Sequence, residues 1–379
     1  MSITPRKRVI NVLNHKETER IPKSVRYTPG ILRIFNNKVK ANIPEKFLKH
    51  DSLKAGVITN EALEEQAIIT FEEYFDIEFR YVDFKPSIEI NDFTPYYLDL
   101  PENTIIDEWG VAETHGQFEH YVKKKFPLSN INTLKDIKKY PWPNPMQNYR
   151  HIHLNGIVKK FHDKGYPVVG FLQTTIFEQA WFLRGFEALL IDMMMESKVT
   201  KYLLDQITEI KSKMAKRYAE ADIDILRLGD DIGGQKSLLM SKDLWKKWLK
   251  PRLKEVITAA RSVNPNIHIF YHSDGKIDPI IPELIEIGID ILNPVQPECM
   301  DVYKLYKEYG KDLTFWGTIG TQTTFPFSSP EEMKRVVIER INKIGKQGGL
   351  IIGPTHKLQP DVPWKNITAF FSAVNNHTL

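Results

Sequence analysis

His272, Cys299 and His356 are residue types that bind zinc, and each follows a short apolar run. Residues 267–275 (IHIFYHSDG) are apolar up to His272 and Asp274, and residues 290–299 (DILNPVQPEC) lead to Cys299. Residues 349–356 (GLIIGPTH) end on His356, and residues 313–320 (LTFWGTIG) end in glycine and threonine. A zinc ion held by an imidazole, a thiolate and a second imidazole keeps one position open for chemistry, with Asp274 as fourth ligand or orienting partner. Two further runs end in polar groups. Residues 223–231 (IDILRLGDD) stop at Asp230 and Asp231, and residues 167–173 (PVVGFLQ) stop at Gln173, ahead of Thr174 and Thr175. Only one of two adjacent carboxylates can face inward from a strand, and that one could act as acid or base. Asp230 or Asp231 and His356 are the candidate catalytic groups. Gln173, Tyr271 and Asp274 are candidate substrate contacts.

These residues lie far apart in the chain, so the fold must gather them. Segments of helical period separate the apolar runs: 150–164, 176–195 with a glycine break, 199–221, 243–262 around Pro251, and stretches near 278–287, 301–309 and 330–346. Strand and helix in alternation predict a parallel α/β architecture, and strand C-termini that converge on one face predict a (β/α)8 TIM-type barrel. Thr4-Pro5 opens a helix to about His15, KSVRY is a first strand ending near Tyr27, and 30–80 is expected to be helical with breaks at Pro44 and Gly56. Residues 107–116 and 118–126 alternate as a hairpin, and 140–148 is extended. The chain is expected to be one domain over 1–379, with an N-terminal helical and hairpin elaboration in 1–150 and the main barrel in 151–379.

Composition excludes several classes. The 52 basic and 48 acidic residues leave a net charge of +4, too small and too dispersed for nucleic acid; Lys123 to Lys125 is the densest basic run. One cysteine allows no internal disulfide and fits a reducing cytoplasm. The N-terminus lacks the apolar core of a signal peptide, and no apolar run is long enough to span a bilayer. A cytoplasmic, membrane-free location is expected. Residues 229–237 (GDDIGGQKS) have glutamine where a phosphate loop needs lysine. Trp181, Phe182 and Phe186 are expected in the core. His115, His120, His151, His153 and His162 are expected at the surface.

In order and spacing, the chain resembles the uroporphyrinogen decarboxylase superfamily, which includes corrinoid-linked methyltransferases. The resemblance runs through residues 4–22, DEWG (107–110), PWPNP (141–145), 170–193, 228–257, YHSDGKI (271–277), GTIG (317–320) and 353–367. It implies a distorted β/α barrel with an N-terminal helical extension. The decarboxylase branch carries an arginine pair in a Met-Arg-Gln-x-Gly-Arg pattern; here the matching stretch is PKSVRYTPGILR, which retains Arg26 as a substrate contact, with Arg33 nearby. A tetrapyrrole with many carboxylates would meet too few partners. In the methyltransferase branch zinc is held by His-x-Cys and a later Cys; here His272-Ser273-Asp274 and His356 stand in those places. The resemblance therefore implies a zinc-dependent methyltransferase acting with cobalamin. The carrier motif Asp-x-His-x-x-Gly is absent, so that cobalamin would arrive on a separate corrinoid protein. The resemblance also implies a homodimer. A metal-independent decarboxylase of a smaller carboxylated substrate is the alternative, and a non-catalytic binding protein is the third reading.

Overall fold

The apolar runs form strands because each is short, rich in β-branched and aromatic residues, and bounded by turn residues. The computed structural model describes residues 3–49, 68–115 and 122–377. Its strands are β1 (Arg80–Val82), β2 (Ile105–Ile106), β3 (Ala112–His115), β4 (Val122–Lys125), β5 (Val168–Phe171), β6 (Ile225–Gly229), β7 (His268–His272), β8 (Ile291–Asn293), β9 (Thr314–Ile319) and β10 (Leu350–Pro354). Seven of them form one parallel sheet in the order β1-β5-β6-β7-β8-β9-β10. The sheet curls with its helices outside, as a TIM-type barrel. β2, β3 and β4 form a separate small antiparallel sheet, with Ala112 opposite Lys125. The predicted hairpin lies there, although its turn and His120 fall outside the described residues.

The eighth stave differs from the expected regular strand. Residues 22–27 run extended beside β10 and the segment after it, with one bridge to each: Lys23 to Ile352 in β10 and Tyr27 to Leu358 beyond it. Ser24 N–H donates to Ile352 O, and Ile352 N–H donates to Pro22 O. Pro22 lacks an N–H and so breaks any longer ladder. On the other side, towards β1, the contacts are ionic. Lys23 is wholly buried, its N–H donates to Glu78 Oε2 at 3.1 Å, and its Nζ lies 3.9 Å from Glu78 Oε1. Arg8 reaches the same carboxylate at 3.3 Å. Burial pushes the Glu78 carboxyl up and the Lys23 ammonium down, each opposed by the other's charge.

Several helices match expectation. The N-terminal helix Pro5–Leu13 is capped by the Thr4 side chain, which accepts from Lys7 N–H. Residues 176–195 split at Gly185, whose φ of +93° ends Phe177–Arg184 and starts Phe186–Met194. Around Pro251 the chain forms Lys242–Trp248 and Lys250–Arg261. Within 30–80, helix Pro29–Val39 meets the expectation, residues 40–49 are not helical, and residues 50–67 lie outside the described residues. Helix Pro29–Val39 is followed, past the undescribed residues that include Gly56, by the single turn Phe71–Tyr74 and then β1. Gly185 and Pro251 announce their breaks, whereas nothing in 68–82 marks the change of period.

The barrel interior is layered. Phe79, Val169, Ile225, Phe270, Ile291, Trp316 and Ile351 fill it, and Val9, Val12 and Leu13 of the N-terminal helix pack against them. That helix therefore closes the N-terminal end. Two residues along each strand, side chains return to the interior one layer higher. There the layer becomes polar, with Arg227, His272 and Asn293.

Phe270 is fully buried, meets the Trp316 ring edge-on at 5.0 Å and lies under the Arg227 guanidinium at 4.2 Å. Phe270→Ala is predicted to cost ~3–5 kcal/mol of stability in chemical denaturation, as for other large buried aromatics. A loss below ~1 kcal/mol would show that this layer is not the packed core described.

Candidate metal centre at the barrel mouth

His272 ends β7, directly beside Gly229 on one flank and Asn293 on the other. A Cβ at position 229 would stand 2.7 Å from the His272 Cβ, so glycine leaves the room this imidazole needs. Asn293 orients the ring. Its Nδ2 donates to Trp316 O at 2.7 Å, which turns its Oδ1 toward His272 Nδ1 at 2.5 Å. The Nδ1 proton is thus fixed, and Nε2 presents its lone pair to the mouth. Burial, with the Arg227 charge nearby, pulls the His272 pKa down to about 3. The imidazole is therefore neutral at neutral pH, the form that binds metal.

Carboxylates face that lone pair. His272 Nε2 lies 3.7 Å from Asp231 Oδ1 and 3.8 Å from Asp274 Oδ1. The ligand atoms of Asp231, His272 and Asp274 lie within 4.8 Å of one another. His356 Nε2 stands 3.8 Å from Asp274 Oδ2, and its ring centroid lies 6.4 Å from that of His272. A tetrahedral site with ~2.0 Å bonds has edges of ~3.3 Å, so small side-chain shifts complete it. The donor set fits zinc: two neutral imidazoles and two carboxylates, all borderline or hard donors. His356 is the rim member, with 47% of its side chain exposed. Desolvation in the mouth, with the charges of Arg26 and Lys357 nearby, still presses its pKa down.

The acids crowd one another. Desolvation raises the pKa of Asp274, and the Asp231 charge raises it further, against Arg227 and Arg26. Desolvation also lifts Asp231. Glu178, which sequence reasoning missed, is buried beside them with its pKa pushed well up by desolvation, Asp231 and Asp230. Its Oε2 has no hydrogen-bond partner. A buried, unpartnered carboxylate oxygen among three other acids is the electrostatic signature of a place for a cation.

The remaining predicted residues divide clearly. Asp231 faces the mouth and accepts Asp274 N–H at 2.9 Å. Asp230 points the other way, accepting the N–H groups of Ile176 and Glu178 at 3.0 Å; it caps the start of helix Phe177–Arg184 and is no catalytic group. Tyr271, alternate to His272 on the pleat, is 1% exposed and packs in the layer between strands and helices. Cys299 stands outside the ligand cluster. Its thiol donates to Gln235 Oε1 at 3.3 Å, in a turn anchored by Glu298 to Gln322 N–H and Thr323 Oγ1. Arg26 lines the mouth with Arg227, His272 and His356. Gln173 accepts from Arg227 Nε at 3.3 Å. Trp181, Phe182 and Phe186 pack against the core as expected. Two histidines expected at the surface have buried partners: His162 meets Asp224 at 2.9 Å, and His153 meets Asp83 O at 3.0 Å.

A second cleft of about 490 Å³ opens on the other side of Gln173. The β2–β4 elaboration supplies one wall, with Asp107, Glu108 and Trp109; Asp83, Thr174, Gln179 and Lys211 complete it.

A barrel with a polar, metal-capable mouth and a helical plug at its far end defines a class of enzyme-like scaffolds. The family model of uroporphyrinogen decarboxylase (URO-D) matches residues 107–377. The chain belongs to that family. In solved structures it is similar to a methyltransferase from Methanosarcina mazei, at 18% identity and a TM-score of 0.68 over 99% of each chain. An endo-β-1,4-xylanase of glycoside hydrolase family 10 from Gloeophyllum trabeum is far less similar, at 13% identity and a TM-score of 0.39 over 61% of this chain and 82% of that one. No curated protein matches the sequence significantly. No helix among the described residues is long and apolar enough to cross a membrane.

The two neighbouring aspartates are predicted to behave oppositely. Asp230→Ala strips a buried cap and is expected to cost ~1–3 kcal/mol in denaturant unfolding of the metal-free protein. Asp231→Asn keeps the acceptor for Asp274 N–H while removing a crowded charge, so stability is expected to hold or rise. Reversed outcomes would mean the two side chains have been assigned to the wrong faces.

Proposed function

We propose that this protein is a zinc-dependent methyltransferase of the corrinoid-linked branch of its family. It would move a methyl group between a small substrate or acceptor and cobalamin on a separate protein. The observation that carries the reading is the Nε2 lone pair of His272, fixed by Asn293 and aimed at Asp231 and Asp274. His272, Asp231 and Asp274 would hold the metal, and His356 would complete the set. Bound zinc supplies Lewis acidity, lowering the pKa of a bound thiol or polarising a leaving oxygen or nitrogen.

The chain's own groups do the rest. Neutral imidazoles and carboxylates form the ligand shell without prior loss of a thiol proton. Glu178, its Oε2 unpartnered beside Asp231, would take the proton that an incoming nucleophile releases once a cation bound among the acids draws its raised pKa back down. Arg26 and Arg227 give the mouth a cationic wall that orients an acidic substrate. The full-length likeness in fold to a methyltransferase agrees with this reading; the donor set, more than the likeness, supports it. The same arginine wall also favours the alternative, a decarboxylase of a small carboxylated substrate, which needs no metal.

Equilibrium dialysis against zinc separates the two. The wild-type chain is expected to bind a single zinc ion, and His272→Ala to bind it at least ~100-fold more weakly, since loss of even an outer partner costs ~10–100-fold. Cys299→Ser is expected to bind as wild type does. The zinc-loaded chain is expected to demethylate methylcobalamin in the presence of a thiol acceptor, and His272→Ala to lose that rate. Full zinc affinity in His272→Ala, or its loss in Cys299→Ser, would overturn the ligand set.

A further inference from the structure

The helix Lys198–Glu220 presents an apolar stripe to the barrel through Leu203, Leu204, Ile207 and Ile210, and Lys211 falls on that buried face. A lysine is seldom buried without a partner. Lys211 is 5% exposed, and among the described residues its ammonium makes no hydrogen bond, only a cation–π contact with Trp109 at 5.5 Å. Three of the four surrounding acids are already engaged elsewhere, and Glu178 keeps an unpartnered oxygen. Asp83 accepts from Tyr218 Oη and Phe84 N–H, Glu108 pairs with Arg150 at 2.7 Å, and Asp230 caps its helix. Burial draws the Lys211 pKa down to about 8, against the attraction of Asp230, Asp83 and Glu108.

Gln179 adds an independent observation. It is 4% exposed, lines the same cleft, and its Nε2 has no acceptor. Lys211 and Gln179 thus offer a cation and an amide donor to one space. The rest of the lining mixes apolar and aromatic groups (Trp109, Phe171, Leu172, Ile210 and Met214) with the carboxylates of Asp83, Asp107 and Glu108. Thr174, at the edge, holds a φ of +55°, a backbone conformation costly for a β-branched residue and one that clusters at ligand sites. Gln173 stands between the cleft and the mouth, lining the cleft while accepting from Arg227, which lines the mouth.

We propose that this cleft binds the carboxylate of a small organic acid between Lys211 and Gln179, with the rest of the molecule reaching past Gln173 to the histidine cluster. One ammonium and one amide suit the two oxygens of a monoanion. A dianion would meet Asp83 and Glu108 without a second cation or a nest of backbone N–H groups. Only the placing of the ligand's far end rests on the reading of the mouth as a reaction site.

The test needs no turnover. Benzoate, phenylacetate and pentanoate, each beside its uncharged amide, are titrated calorimetrically into wild type, Lys211→Met and Gln179→Glu, before and after chelation with EDTA. At least one acid is expected to bind, with its amide at least ~10-fold weaker, as loss of a charge-assisted hydrogen bond implies. Lys211→Met, which keeps an unbranched chain of similar length while removing the charge, is expected to remain folded and lose at least ~10-fold in affinity; Gln179→Glu is expected to lose binding also. EDTA should leave acid binding unchanged, so a failure of zinc binding would not be mistaken for failure here. Equal binding of acids and amides, unchanged affinity in folded Lys211→Met, no binding of any of the three acids, or preference for phenyl phosphate would each overturn the proposal.

Discussion

Four carboxylates share the buried C-terminal end of one barrel, and most of the site follows from how their charges are accommodated. Glu178, Asp230, Asp231 and Asp274 stand close enough that each raises the proton affinity of another. In a low-dielectric interior such repulsion is large, and protons, backbone dipoles or a cation must offset it. Asp230 has the backbone solution, the N–H groups opening the helix Phe177–Arg184. Asp231, Asp274 and Glu178 have no such donors in number, and the lone pair of His272 points among them. Arg227 and Arg26 oppose part of that repulsion, and a bound cation would offset the rest.

The scaffold makes this possible by separating its layers. Phe79, Val169, Ile225, Phe270 and Trp316 fill the lower barrel, and the N-terminal helix seals it with Val9, Val12 and Leu13. Polar groups are thereby confined to strand ends, where loops can vary without disturbing the core. The closure at residues 22–27 is more costly in design, resting on Lys23, Arg8 and Glu78 rather than on a full ladder. It also delivers Arg26 to the mouth. The small β2–β4 sheet, beyond the barrel proper, brings Trp109 and Glu108 over Lys211 and so makes the second cleft.

Much of this was legible in the sequence, for a physical reason: strand ends carry period-2 information. His272 and Asp274 share parity, and both reach the mouth. Tyr271, one residue off that parity, belongs to the outer layer, and the same rule separates Asp230 from Asp231. Cys299 was not placeable in this way. It lies beyond its strand in a turn whose direction depends on Glu298 meeting Thr323, a contact no local pattern encodes. Glu178, Gln179 and Lys211 were missed because they ride on helices, where a single polar residue on an apolar stripe is easily taken for the solvent face. Lys211 did leave a signal, four residues from Ile207 and next to Ile210. Six of the seven regular strands, β5 to β10, were readable from apolar runs, and KSVRY marked the eighth stave, but β1 was not, since Arg80–Val82 lies in a stretch read as helical and nothing local marks the change of period.

The central claim is that this family member binds zinc through imidazole and carboxylate without sulfur. X-ray absorption at the zinc edge, on protein loaded with stoichiometric zinc, measures that shell directly. The account predicts nitrogen and oxygen scatterers at ~2.0–2.1 Å, with the outer-ring signature of two imidazoles. A sulfur scatterer near ~2.3 Å would place Cys299 on the metal and contradict it, as would a zinc spectrum indistinguishable from that of the ion in buffer.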